Sequence, residues 1–190
     1  ELFEIYPESK KIYKQETEHE FELIDMLNDK KLLYAGAIVL GMNDALVELT
    51  GTLSGIALAF DKSLVVGLTG LIMGIAASLS MAGSAYFEAK ENPSEDINPL
   101  VYSLYTGVSY ISTTAILVVP FFIFETMTYS LIMMFSSAFL AIISYNFYIS
   151  VAKDLSFSKR VIQMSAITFG VALISFGIGY MVKYYFGIEI

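Results

Sequence analysis

The sequence predicts an all-α fold, an integral membrane bundle of five transmembrane helices per subunit. Of its 190 residues, 56% are hydrophobic and only 16% are charged, whereas charged residues make up about a quarter of a soluble domain. A helix needs roughly 20 mostly apolar residues to cross a bilayer, and five such stretches follow one another. A transmembrane domain at residues 32–190 therefore follows an acidic, polar helical segment at residues 1–31.

Short polar links separate the predicted spans. The spans are Leu32–Phe60, Ser63–Lys90, Leu100–Phe124, Met127–Ala152 and Val161–Phe186. The links at residues 61–62 and 125–126 are minimal, which predicts antiparallel helical hairpins. Pro99 suits the first turn of the third helix, and Pro120 predicts a kink or stop near its end.

The charges predict the orientation and exclude one class of partner. The net charge of −8 argues against nucleic acid, which needs a basic surface. The absence of cysteine excludes thiolate metal sites and disulfides. By the positive-inside rule the N-terminus is cytoplasmic and the C-terminus outside. Nine of the eleven basic residues then lie inside, namely Lys10, Lys11, Lys14, Lys30, Lys31, Lys90, Lys153, Lys159 and Arg160. The chain begins with Glu1 and shows no cleavable signal peptide, which suggests a truncated N-terminus.

The first span carries two carboxylates near its midpoint. Asp44 and Glu48 are one helical turn apart and project from the same face. One acid at the centre of a membrane helix costs about 2.5–3.5 kcal/mol, and two close acids repel each other unless a proton or cation lies between them. A structural ion pair or a protonated packing defect is the alternative. We expect an ion or proton site, because acids within the membrane usually serve function and no span carries a base away from its ends.

Small residues continue the face that carries the acids. Ala37, Gly41, Gly51 and Gly55 lie on it, and such faces allow close helix packing. The face is one reason to expect a homodimer. The second span shows a similar stripe, made of Gly67, Gly70, Gly74, Ala77, Met81, Ala85 and Glu88.

Met81 and Glu88 are further candidate metal ligands on this stripe. A soft thioether beside hard carboxylates suits a borderline transition metal better than calcium or magnesium. Core packing is the commoner role of a methionine, and Glu88 lies near enough to the helix end to reach water instead.

The polar segment carries a Glu-x-x-His sequence, formed by Glu16 and His19. This spacing places both side chains on one helical face, as di-iron bundles do on two of their helices. A single copy is half a site, and a solvated acidic face is the alternative interpretation.

Several segments resemble the vacuolar iron transporter family. The resemblance covers residues 32–187 and is carried by LGMNDALVELTG (40–51) with Ser54-Gly55, by Ser80-Met81, Tyr86 and Ala89-Lys90, by residues 118–120 and by residues 177–180. It implies a homodimeric antiporter, here of the prokaryotic cell membrane, that exports cytosolic ferrous iron, or manganese, in exchange for protons without a tightly bound cofactor.

The resemblance also assigns residues. Asp44 matches the family's membrane aspartate and Met81 its motif methionine, on a pathway along the dimer interface, and Glu48 extends that site. The glutamate-rich domain that some members insert between the second and third spans is missing here. Instead, residues before the first span resemble the last helix of a rubrerythrin-like, ferritin-type domain, in which Glu16 and His19 would be ligands.

Two other functions remain open from the sequence. The intact protein could be a membrane-anchored di-iron ferroxidase or a peroxide-responsive ferritin-like protein, although a pure anchor has no need of buried acids. It could also be a proton-coupled carrier for a substrate other than a metal.

Overall fold

The computed structural model describes residues 34–60, 62–92, 97–152 and 155–186, and this part of the chain is entirely helical apart from its links. It forms five helices: α1 (Ala35–Ala59), α2 (Ser63–Glu91), α3 (Pro99–Ile123), α4 (Met127–Ala152) and α5 (Phe157–Phe186). The all-α prediction is confirmed. The predicted polar segment, with Glu16 and His19, lies outside the described residues.

The ends of α3 agree with the roles predicted for Pro99 and Pro120, and the structure adds a cap that was not predicted. The Asn98 side chain caps the helix by accepting hydrogen bonds from the backbone N–H groups of Leu100 at 3.0 Å and Val101 at 3.4 Å, and Pro99 occupies the first turn. Pro120 lies in the last turn, where its carbonyl accepts a hydrogen bond from the Phe124 N–H at 3.0 Å. The helix ends just beyond it, at Ile123.

The start of α5 differs from the prediction. Residues up to Arg160 were expected to form a polar loop, but the helix begins at Phe157. The Arg160 N–H donates to the Ser156 carbonyl at 3.2 Å, which closes the first turn. The prediction was wrong because it relied on hydropathy, whereas lysine and arginine are good helix formers regardless of polarity.

Helix α1 occupies the centre of the bundle. Within the described ranges, four helices are long and apolar enough to cross a membrane: Ser63–Glu91, Pro99–Ile123, Met127–Val151 and Phe157–Tyr185. Helix α1 has 25 residues but carries Asn43, Asp44 and Glu48 in its middle, so its crossing remains a prediction. It contacts all four other helices, most extensively α5 and α3. Its Leu46 and Leu49 are fully buried in the main hydrophobic cluster.

The small residues of α1 pack against helices of the same chain. A Cβ added to Gly41 would lie 2.2 Å from the Thr106 carbonyl oxygen of α3. Farther along, Gly51 meets Val171 of α5, and a Cβ on Gly179 would lie 2.3 Å from the Gly55 carbonyl oxygen. These glycines are therefore occupied within the chain and do not themselves indicate a second subunit, so the homodimer stays a prediction. Glycines permit close approach by any helix, and the pattern cannot tell which chain supplies it.

The glycine stripe of α2 is likewise used within the chain. A Cβ on Gly67 would meet Phe121 at 2.9 Å, and one on Gly74 would meet the Thr114 side chain at 2.2 Å. Both neighbours belong to α3, which is the principal packing partner of α2. Helix α3 thus joins α2 to the central helix.

Candidate functional site

The two carboxylates of α1 lie where side chains of the bundle remain accessible. Asp44 is half-buried and Glu48 is exposed, and they lie close enough for their charges to interact. No salt bridge reaches either of them from the described residues, and the alternative of a structural ion pair thus finds no partner in these ranges. The pair therefore offers carboxylate oxygens that no protein cation neutralises.

Tyr110 of α3 holds one of these carboxylates. Its hydroxyl donates a hydrogen bond to Glu48 Oε2 at 2.6 Å, and its side chain is fully buried. The close α1–α3 crossing at Gly41 brings the two helices together, since a Cβ there would also lie 3.2 Å from the Tyr110 backbone nitrogen. Hydrogen bonds to charged acceptors are short and strong, so this bond fixes the direction of the Glu48 side chain.

Sequence reasoning missed Tyr110. The available signal was a polar stripe on an otherwise apolar third span, formed by Thr106, Tyr110, Thr113 and Thr114. The threonine hydroxyls donate to carbonyls of their own helix, as such residues often do in helices. Of these four residues, Tyr110 is the one whose hydroxyl donates to a side chain of another helix.

Other hydroxyl groups near the carboxylates are satisfied by backbone carbonyls. On α1, Thr50 donates to the Leu46 carbonyl and Thr52 to the Glu48 carbonyl. Ser109 of α3 donates to the Ile38 carbonyl of α1 at 2.7 Å. These bonds satisfy the hydroxyls, which are therefore less available to an ion than the two carboxylates.

Met81 and Glu88, the two candidate ligands on α2, differ from each other in their surroundings. Met81 is half-buried and packs against the main hydrophobic cluster, which is the packing role weighed above. Glu88 is exposed near the end of α2, where Lys90 lies over the ring of Tyr86 at 5.8 Å.

The described residues bring no group of three histidine or acidic side chains together. A metal at Asp44 and Glu48 would therefore need further ligands beyond the described acids of one chain. Glu16 and His19, on which the ferroxidase alternative depends, lie outside the described ranges.

This architecture and site define a class of protein. A bundle of long apolar helices that surrounds a helix with unneutralised carboxylates is typical of membrane proteins that move ions. A comparison with protein families gives one match. The model of the VIT family matches residues 35–96, which include α1, α2 and the first residues of the link that follows α2.

This match supports the resemblance to the vacuolar iron transporter family over α1 and α2, and it includes Asp44, Glu48 and Met81. It supports metal-ion transport across a membrane rather than an enzymatic reaction. A comparison with curated proteins gave no match.

Proposed function

We propose that this protein exports ferrous iron, with manganese as a second candidate cargo, from the cytosol in exchange for protons. One observation carries the proposal. Asp44 and Glu48 stand midway along the central helix, at least partly accessible, and no basic side chain of the described ranges pairs with them. An uncompensated pair of acids at this depth is costly, and a bound cation or proton removes the cost.

The chemistry of the pair suits both ions. Carboxylate oxygens are ligands for iron and manganese, and the same oxygens accept protons. A divalent cation and two protons neutralise the same two charges, so one can replace the other without leaving the pair charged. Protonation from the outer side would release the metal, and deprotonation on the cytoplasmic side would prepare the site again.

A second copy of the chain would complete the coordination. Ferrous and manganous ions take more ligands than two carboxylates supply, and the described acids of one chain form no larger cluster. The exposed side of Glu48 leaves room for groups from another subunit. A homodimer would then contribute two Asp44–Glu48 pairs, with Met81 as a soft ligand that favours transition metals.

The acidic N-terminal segment would serve collection rather than transport. Glu16 and His19, with Glu88 at the end of α2, would gather cytosolic cations near the entrance, because clustered acids raise the local concentration of cations. The membrane would be a prokaryotic cell membrane.

The test is metal uptake into vesicles. The protein is reconstituted with a metal-sensitive dye and a pH dye inside, a pH gradient is imposed, and ferrous iron is added under reducing conditions. We expect metal entry coupled to proton exit in wild type and loss of both in Asp44→Asn. Glu125→Gln is the matched control, because Glu125 is an exposed acid in the α3–α4 link.

Three results would decide the proposal. Wild-type rates in Asp44→Asn would overturn it. Metal entry without any proton flux would refute the exchange but leave metal transport, and preferential manganese flux would assign the cargo.

A further inference from the structure

A second polar cluster lies between α1, α4 and α5, on a different side of the central helix. A cavity of about 180 Å³ opens there, lined by Asn43, Asn146, Arg160, Gln163, Met164 and Ile167. Asn43 precedes Asp44 in the chain, but adjacent residues of a helix point about 100° apart. The cavity is therefore separate from the face that carries the carboxylates.

Arg160 is the charged group of this cavity. It is half-buried, and its Nε donates to Asn146 Oδ1 at 3.3 Å. Asn146 is only 2% exposed and is itself fixed, since its Nδ2 donates to the Ile142 carbonyl at 2.8 Å. The guanidinium is thus held from one side.

Most donors of the guanidinium remain available. Arginine has five N–H donors, of which one donates to Asn146 Oδ1, and no carboxylate of the described residues pairs with the guanidinium. The buried Tyr145 hydroxyl lies near enough to interact with the Arg160 guanidinium, although the two groups form no hydrogen bond of good geometry. Among the described residues this half-buried cation has no counter-charge, and an anion beside it would lower the cost of its burial.

The walls offer further amide groups. Asn43 Oδ1 is buried and has no hydrogen-bond partner in the ranges that the structure describes. A half-turn of an amide exchanges its oxygen and nitrogen, so Asn43 can present an N–H donor to the cavity instead. Gln163, at the mouth, is exposed and carries a second free amide.

The mouth of the cavity faces the surroundings of the bundle. Ile162 is 68% exposed and Ile167, which lines the cavity, is 56% exposed. On a membrane helix, large apolar side chains at this exposure would contact lipid unless a second subunit covers them. Lys159 and Arg160 lie in the first turn of α5, at the predicted cytoplasmic boundary. Basic pockets between helices at this level bind phospholipid head groups.

We propose that this cavity binds the phosphate of an anionic phospholipid, with Arg160 as the charged ligand and the amides of Asn43 and Gln163 as further donors. Guanidinium groups recognise phosphate oxygens through paired hydrogen bonds. The volume exceeds the roughly 30 Å³ of a single water several-fold, and the lipid-facing mouth lets acyl chains remain in the bilayer. Bound phospholipid would join α4 and α5 to the central helix.

The test compares lipid retention and thermal stability in variants. Full-length protein is incorporated into nanodiscs of equal parts phosphatidylglycerol and phosphatidylcholine, extracted gently, and the co-purified lipid is identified by native mass spectrometry. We expect wild type to retain phosphatidylglycerol, and we expect the amount retained by Arg160→Gln to be lower by about fivefold or more. Lys159→Gln is the matched control, since it removes an adjacent exposed charge and should behave as wild type.

A second variant covers the case in which Arg160→Gln does not fold. Gln163→Leu changes an exposed residue at the mouth and should also lower phosphatidylglycerol retention while the protein keeps its oligomeric size. The lipid should raise the melting temperature of wild type but not of Arg160→Gln.

Three results would overturn the proposal. If Lys159→Gln and Arg160→Gln retain equal amounts of phosphatidylglycerol, the binding depends only on surface charge. If wild type retains as much phosphatidylcholine as phosphatidylglycerol, the cavity does not select an anionic lipid. Equal stabilisation by millimolar inorganic phosphate in detergent would assign the cavity to a soluble anion instead.

Discussion

The Tyr110 hydroxyl of α3 reaches Glu48 of α1 at 2.6 Å, across a helix crossing made possible by the absence of a side chain at Gly41. This relationship distinguishes the two carboxylates. Glu48 has a fixed donor, whereas no hydrogen bond from the described residues reaches the Asp44 side chain. Asp44 is therefore the freer of the two to exchange its bound ion.

Replacing Tyr110 tests the fixed donor. Tyr110→Phe removes only the hydroxyl, and a hydrogen bond to a charged group contributes about 1.5–3 kcal/mol. We expect transport to fall about tenfold or more, because Glu48 loses its orientation, while the helical content stays unchanged. Vesicle uptake and circular dichroism measure the two effects.

The control for this substitution is Tyr129→Phe, at a residue that is 61% exposed on α4. It should transport at the wild-type rate. Wild-type transport by Tyr110→Phe would show that the hydrogen bond is dispensable.

Glycine substitutions should change stability in opposite directions. Gly41→Ala forces a Cβ to within 2.2 Å of a backbone carbonyl, and overpacking of this kind costs about 1–3 kcal/mol. Gly83→Ala places its methyl group where no atom lies within 4 Å, so the better helix propensity of alanine should stabilise by about 0.5–1 kcal/mol. Thermal unfolding in detergent compares the two, and a melting temperature of Gly41→Ala at or above wild type would contradict the close crossing.

Neutralising Asp44 should raise the stability of the metal-free protein and lower its affinity for metal. Asp44→Asn removes the repulsion between two adjacent charges, so the metal-free protein should melt at a higher temperature than wild type. Saturating Mn²⁺ should stabilise wild type, by about 2.7 kcal/mol at a hundred times the dissociation constant, and should stabilise Asp44→Asn much less. Glu125→Gln should keep the full shift, and an unchanged shift in Asp44→Asn would exclude this carboxylate as a ligand.

Two buried serines, near the start of α2 and the start of α4, should contribute to stability but not to transport. The Ser130 hydroxyl of α4 lies 2.7 Å from that of Ser63, which donates to the Phe121 carbonyl at 3.0 Å. Both serines are buried, so Ser130→Ala leaves buried polar groups unpaired at a cost of about 1–3 kcal/mol. Ser136→Ala, on the exposed side of α4, should cost less than about 0.5 kcal/mol.

The serine measurement is denaturation in detergent together with vesicle uptake. Transport by Ser130→Ala should match wild type at a temperature where the variant is folded. Loss of transport without loss of stability would instead place these hydroxyls in the pathway.

Local signals in the sequence predicted the helices well. Hydropathy and Pro99 placed the spans and the start of α3 within a few residues, because these features act over one or two turns. The largest boundary error, at Phe157, arose where polarity and helix propensity disagree.

The complete site could not be predicted, because it depends on contacts between helices that are far apart in the sequence. Asp44 and Glu48 were predictable because they lie one turn apart. Tyr110 was not, because its role depends on how α3 lies against α1, and 62 residues separate Tyr110 from its partner. For the same reason the glycines predicted close packing but not the helix that provides it.

The central position of α1 has a consequence for biosynthesis. This helix leaves the ribosome before the four apolar helices, yet its asparagine and two acids make it the least able of the five to enter lipid alone. Its main neighbours α3 and α5 are synthesised afterwards. Stable insertion of α1 therefore requires that α5 has been synthesised. A nascent chain that stops before α5 should leave α1 without its main neighbour and susceptible to degradation.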